Sequence, residues 1–118
     1  MALENRANIQ MAKRNVLEKR DREIIDRYKS LLTEEGVSFD KIYLFGSKAL
    51  GKSHRWSDLD LCVVSNDFGK NYHKELVRLN LLANRVDPAI EAFPMKAEDL
   101  EDRFDSFAGE IARTGVLV

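Results

Sequence analysis

Apolar positions along the chain follow two rhythms. From residue 3 to residue 35 there is no Pro or Gly, and Leu17, Ile24, Tyr28, Leu31 and Leu32 recur at helical spacing amid dense mixed charge. That pattern predicts helix over 3–35, in one piece or two, stopped by Gly36. Towards the N-terminus the stripe thins to Leu3, Ile9, Met11 and Val16. Residues 41–45 (KIYLF), a short run with β-branched and aromatic content, and 58–65 (DLDLCVVS) both predict strands. Between them, GSKALGKSHRWS combines Gly, Ser and cations in the manner of a loop. Residues 71–86 carry Leu76, Leu79, Leu82 and Val86 on one helical face, and Pro88 ends that helix. Residues 89–93 (AIEAF) predict a third strand closed by Pro94. A last helix over 97–114 aligns Leu100, Phe104, Phe107 and Ile111, and the tail 116–118 offers an edge segment. The order helix, strand, loop, strand, helix, strand, helix describes an α/β (more narrowly α+β) layer: a small mixed sheet of at least three strands with helices packed on it.

Length and composition narrow the partners. A chain of 118 residues suits one domain over 1–118, with an N-terminal helical region 3–35, a core 40–94 and the C-terminal helix. With 44% hydrophobic and 33% charged residues it is neither disordered nor membrane-embedded in composition. Nineteen Lys plus Arg against twenty Asp plus Glu give a net charge of −1, without the broad basic footprint of a nucleic-acid or membrane-surface binder. Direct nucleic-acid binding is therefore not expected, and any phosphate site must be local. Cys62 is the one cysteine, so no internal disulfide forms and no Cys-rich zinc site can be built. The first residues, MALENRANIQ, carry charge and amide where a secretory signal needs an apolar run. The expectation is a cytoplasmic protein that engages no membrane.

The candidate chemistry is central. Asp58 and Asp60 are two apart on a predicted strand, so they share a face with Cα atoms about 6.6 Å apart. Two carboxylates on one face repel unless a cation neutralises them, and hard oxygen ligands suit Mg²⁺. Gly46 and Ser47 directly follow the first strand, where Gly lets the backbone approach a ligand and Ser adds a hydroxyl beside exposed N–H groups. Cys62, Tyr43 and Phe45 read as core residues and His73 as an exposed residue at a helix start.

The segment LFGSKALGKSHRWSDLDLCVV, residues 44–64, resembles the nucleotidyltransferase signature of an apolar strand, GS, a loop and DxD. The surrounding order of elements is similar to the minimal nucleotidyltransferase family, the smallest branch of the DNA polymerase beta-like fold. The resemblance implies a metal site of Asp58, Asp60 and a third carboxylate on the next strand, for which the candidates are Asp87 and Glu91. Glu91 is preferred, because an acid among apolar neighbours on a strand is costly without a partner, whereas Asp87 before Pro88 is more simply a turn residue. Relatives more often carry Asp at this point. They also commonly carry Arg on both sides of the Ala in GSKALG, where this chain has Lys48 and Leu50.

By the same resemblance, Gly46, Ser47, Lys48 and Ser57 would bind the nucleotide, with Lys52, His54 and Arg55 available to neutralise triphosphate. Asp58, Asp60 and Glu91 would be catalytic through Mg²⁺, as two ions, with ATP as substrate. The implied reaction is transfer of AMP from ATP to a hydroxyl. Stand-alone minimal nucleotidyltransferases resemble antitoxins that modify a HEPN-type toxin protein, which implies a hetero-oligomer. Two alternatives stand beside this: a binding module with a vestigial acidic site, and a small-molecule nucleotidyltransferase acting as a homodimer.

Overall fold

The computed structural model describes residues 17–46, 48–50, 58–102 and 104–118. Helix α1, Lys19–Glu34, buries Ile24, Ile25, Tyr28 and Leu32 on one face. Tyr28 is wholly buried, and its hydroxyl keeps a partner by donating to the carbonyl of Leu79 at 2.9 Å. Gly36 ends the helix with φ +77°. Its N–H donates to Thr33 O and that of Val37 to Leu32 O, the paired bonds of a Schellman stop, with Val37 and Leu32 both buried in the same cluster.

Strand β1, Lys41–Phe45, pairs antiparallel with β2, Leu59–Val64. Helix α2, Tyr72–Val86, starts where the Asn71 side chain accepts from the Lys74 N–H, a cap worth about 1 kcal/mol. It returns the chain to β3, Ile90–Met95, which lies parallel to β2. After a 3-10 helix at Ala97–Glu101, helix α3, Ser106–Thr114, leads into β4, Val116–Leu117, antiparallel to β1. The sheet order is β3-β2-β1-β4. Among the described residues, no helix is long and apolar enough to cross a membrane.

Strand alternation divides the core in two. Ile42, Leu44, Leu59, Leu61, Val63, Ile90 and Ala92 face α1 and α2 in the larger cluster. Phe45, Cys62, Val64 and Met95 face α3, joined by a ring cluster of Phe45, Phe93 and Phe107 with centroids 5.3 to 5.6 Å apart.

Three expectations from the sequence are corrected. The third strand runs through Pro94 to Met95 instead of stopping before it. Proline is tolerated there because β3 is an edge strand whose outward N–H has no neighbour to bond. Asn80 covers the same edge by accepting from the Ala92 N–H and donating to the Ala92 carbonyl. The last helix does not run unbroken over 97–114. Asp105 caps a new helix by accepting from the N–H groups of Phe107 and Ala108, so Phe104 leaves the apolar stripe and is 94% exposed. Asp58, finally, lies just before β2 and outside the ladder. The thin apolar stripe before residue 17 lies outside the described residues.

Candidate active site

The site gathers at one end of the α3 face of the sheet, around Asp60. In the antiparallel register Asp60 stands opposite Phe45, and in the parallel register opposite Glu91. Gly46, the next residue after Phe45, has φ +76°. A Cβ there would lie 2.5 Å from Asp60 Oδ2, so both the backbone conformation and the approach of the carboxylate demand glycine. Asp60 thus has the Gly46 backbone on one side and a second carboxylate on the other.

Electrostatics reflect that crowding. The Asp60 carboxyl is pushed from its ordinary value of 3.8 up to about 6, first by burial and then by the charge of Glu91. The charge of Asp58, a side-chain hydrogen bond with Glu91 and the charge of Glu110 add to it. A hydrogen bond between two carboxyl groups requires a proton on one of them. Asp58 and Glu91 are exposed, so this acidic group opens to solvent.

Glu110, on α3, is an acidic neighbour that sequence reasoning missed. Its only sequence signal is a charge within the last helix, and its relation to Asp60 depends on how α3 packs across the strands.

Asp58, Asp60 and Glu91 offer only hard carboxylate oxygens. That donor chemistry fits a divalent cation such as Mg²⁺. Among the described residues, however, no three acidic, His or Cys side chains converge as a ready-made metal centre. The pair in contact is Asp60 and Glu91.

The other sequence candidates take varied places. Asp87 ends α2, where its Oδ1 accepts from the Ala89 N–H at 2.8 Å and its Oδ2 lies 3.8 Å from Arg20. Lys48 turns away from the carboxylates: its Nζ donates to Asp21 Oδ2 at 3.0 Å, with both residues buried. Cys62 is fully buried, and burial pushes its thiol up to about 12, as suits a core residue. Ser47, Ser57, Lys52, His54 and Arg55 lie outside the described residues.

An α+β layer with carboxylates on a central strand and the edge strand beside it, set against a glycine turn, has the makings of a domain that handles nucleotides through a bound cation. A family model of the nucleotidyltransferase domain matches residues 21–106, and the chain belongs to that family. No curated protein sequence matches the chain. Among solved structures, a toxin–antitoxin crystal structure with AMP-PNP superimposes with a TM-score of 0.56 at 25% identity, covering 78% of this chain and 69% of that one. A crystal structure of a mutant of the toxin–antitoxin MntA-HpeT gives a TM-score of 0.53 at 22% identity, with the same coverage, and bears on the fold alone.

Proposed function

We propose that this nucleotidyltransferase domain moves AMP from ATP to a hydroxyl on a protein partner, a toxin of the HEPN type, and so acts as an antitoxin. The observation that carries the reading is the register that sets Asp60 between Gly46 and Glu91. The family match supports nucleotidyl transfer. The resemblance to a toxin–antitoxin crystallised with AMP-PNP supports the adenine nucleotide and the partner.

In the proposed reaction the acceptor oxygen bonds to the α-phosphorus, the bond to the bridging oxygen breaks and pyrophosphate leaves. Gly46 would let the nucleotide approach the backbone beside Asp60, with Ser47 and Ser57 as the further nucleotide-binding residues that the family resemblance implies. Asp58, Asp60 and Glu91 would hold Mg²⁺, which when bound neutralises triphosphate charge and makes the acceptor hydroxyl easier to deprotonate. Glu91, exposed on the edge strand, would favour the acceptor side and take the hydroxyl proton.

The test is incubation with Mg²⁺-ATP and the co-purified partner, followed by intact mass. Transfer adds about 329 Da, the mass of an AMP unit left after pyrophosphate departs. A binding module gives a different result: a tight, neutralising complex with no adduct under any nucleotide or metal.

A further inference from the structure

The buried ion pair between Lys48 and Asp21 carries an inference that rests on the nucleotidyl-transfer reading. The turn after β1 is anchored at each of its described residues. Gly46 abuts Asp60, Lys48 bonds to Asp21 of α1 at 3.0 Å, and Ala49 is buried in the larger core cluster. The Leu50 N–H closes back on Gly46 O at 3.3 Å. The Lys48 and Asp21 side chains are 5% and 8% exposed.

An ammonium so enclosed, with its carboxylate partner in hydrogen-bond contact, is committed to that partner. Releasing it to a phosphate would strand Asp21 as a lone buried charge. We propose that Lys48 is a positioning residue: with Asp21 it fastens the nucleotide-binding turn to α1, and the turn backbone, not the Lys48 charge, meets the nucleotide.

The decisive variants are Lys48→Met, Asp21→Leu and the double Asp21→Leu/Lys48→Met, compared for Mg²⁺-ATP affinity by calorimetry. Positioning predicts that Lys48→Met weakens binding roughly tenfold, the scale of coupling between residues in contact. The double variant should recover most of that loss, because an apolar pair can replace a buried ion pair without leaving a charge behind. A lysine that ligates phosphate behaves otherwise: Met at position 48 stays weak whatever stands at 21, and that result overturns the proposal. Equal affinity in all variants, with only thermal stability reduced, also overturns it by making the pair merely structural.

Where Lys48→Met does not fold, Asp21→Leu takes its place: affinity weakened in Asp21→Leu and recovered in the double variant supports positioning, whereas affinity lost in the double variant, or unchanged in both, refutes it. If wild type itself binds no nucleoside triphosphate, the nucleotidyl-transfer reading is what fails. Hydrogen exchange of the Leu50 amide then decides for the turn: acceleration in Lys48→Met with protection restored in the double supports fastening, and unchanged exchange overturns it.

Discussion

Two pairs of charged side chains flank the turn at Gly46, and they answer burial in opposite ways. Lys48 and Asp21 carry opposite charges, lie deep between the turn and α1, and satisfy each other. Asp60 and Glu91 are like acids at the open end of the sheet, set side by side by the strand register and hydrogen-bonded to each other when Asp60 is protonated. The protein completes the first pair from its own side chains because an unmatched charge there has no access to water. It leaves the second incomplete where solvent and solutes reach it, and an incomplete acidic pair favours a cation from solution. Distance from solvent thus separates a charge pair closed on itself from one open to a ligand.

The comparison breaks first at the acidic pair. Asp60→Asn or Glu91→Gln should each reduce transfer by at least about 10²-fold, as removal of a group that stabilises transition-state charge does. Asp87→Asn should leave transfer nearly unchanged, since Asp87 serves the turn after α2. Intact-mass time courses decide between them, and loss confined to Asp87→Asn would move the third carboxylate to that residue.

The structural pair should show its effect in stability. Lys48→Met should cost about 3–5 kcal/mol in urea unfolding, most of it returned in the double variant with Asp21→Leu. Gly46→Ala should cost about 1–2 kcal/mol for a positive φ alone. Its methyl must also displace Asp60 Oδ2, so its loss of transfer should exceed its loss of stability.

Acidity sharpens the contrast further. The folded-state value for Asp60, about 6, lies above its ordinary 3.8, so the native protein holds this proton more tightly than the unfolded chain. The resulting stabilisation is full below about 3.8 and lost as pH rises through about 6. Metal-free wild type should therefore lose a few degrees of Tm relative to Asp60→Asn between pH 4 and pH 7, a small effect because the group is partly solvated. Saturating Mg²⁺ should narrow that gap in scanning calorimetry at pH 7. The smallest change is expected at Phe104, whose near-complete exposure predicts that Phe104→Ser shifts stability by no more than about 0.5 kcal/mol.

Much of this was legible because it is local. Strand alternation places Asp60 and Cys62 on one face from their spacing alone, and Asn71 and Gly36 mark helix ends by the turn chemistry they permit. The break at Asp105 was equally local, but the apolar spacing across Phe104 concealed it: a periodic stripe says which residues could share a helix face, and a capping Asp decides whether the helix continues.

The sequence by itself determined the order of the main helices and of the first three strands, and the shared face of Asp60 and Cys62. Each follows from backbone sterics and side-chain periodicity within a few residues. Only the tertiary structure decided that β3 pairs parallel to β2 with Glu91 opposite Asp60, that Glu110 adds its charge to the same group, and that Lys48 belongs to Asp21. Those contacts join residues 27 to 50 positions apart in the chain. Local propensity carries no information about them, because their energies arise only once packing has excluded water and set the register.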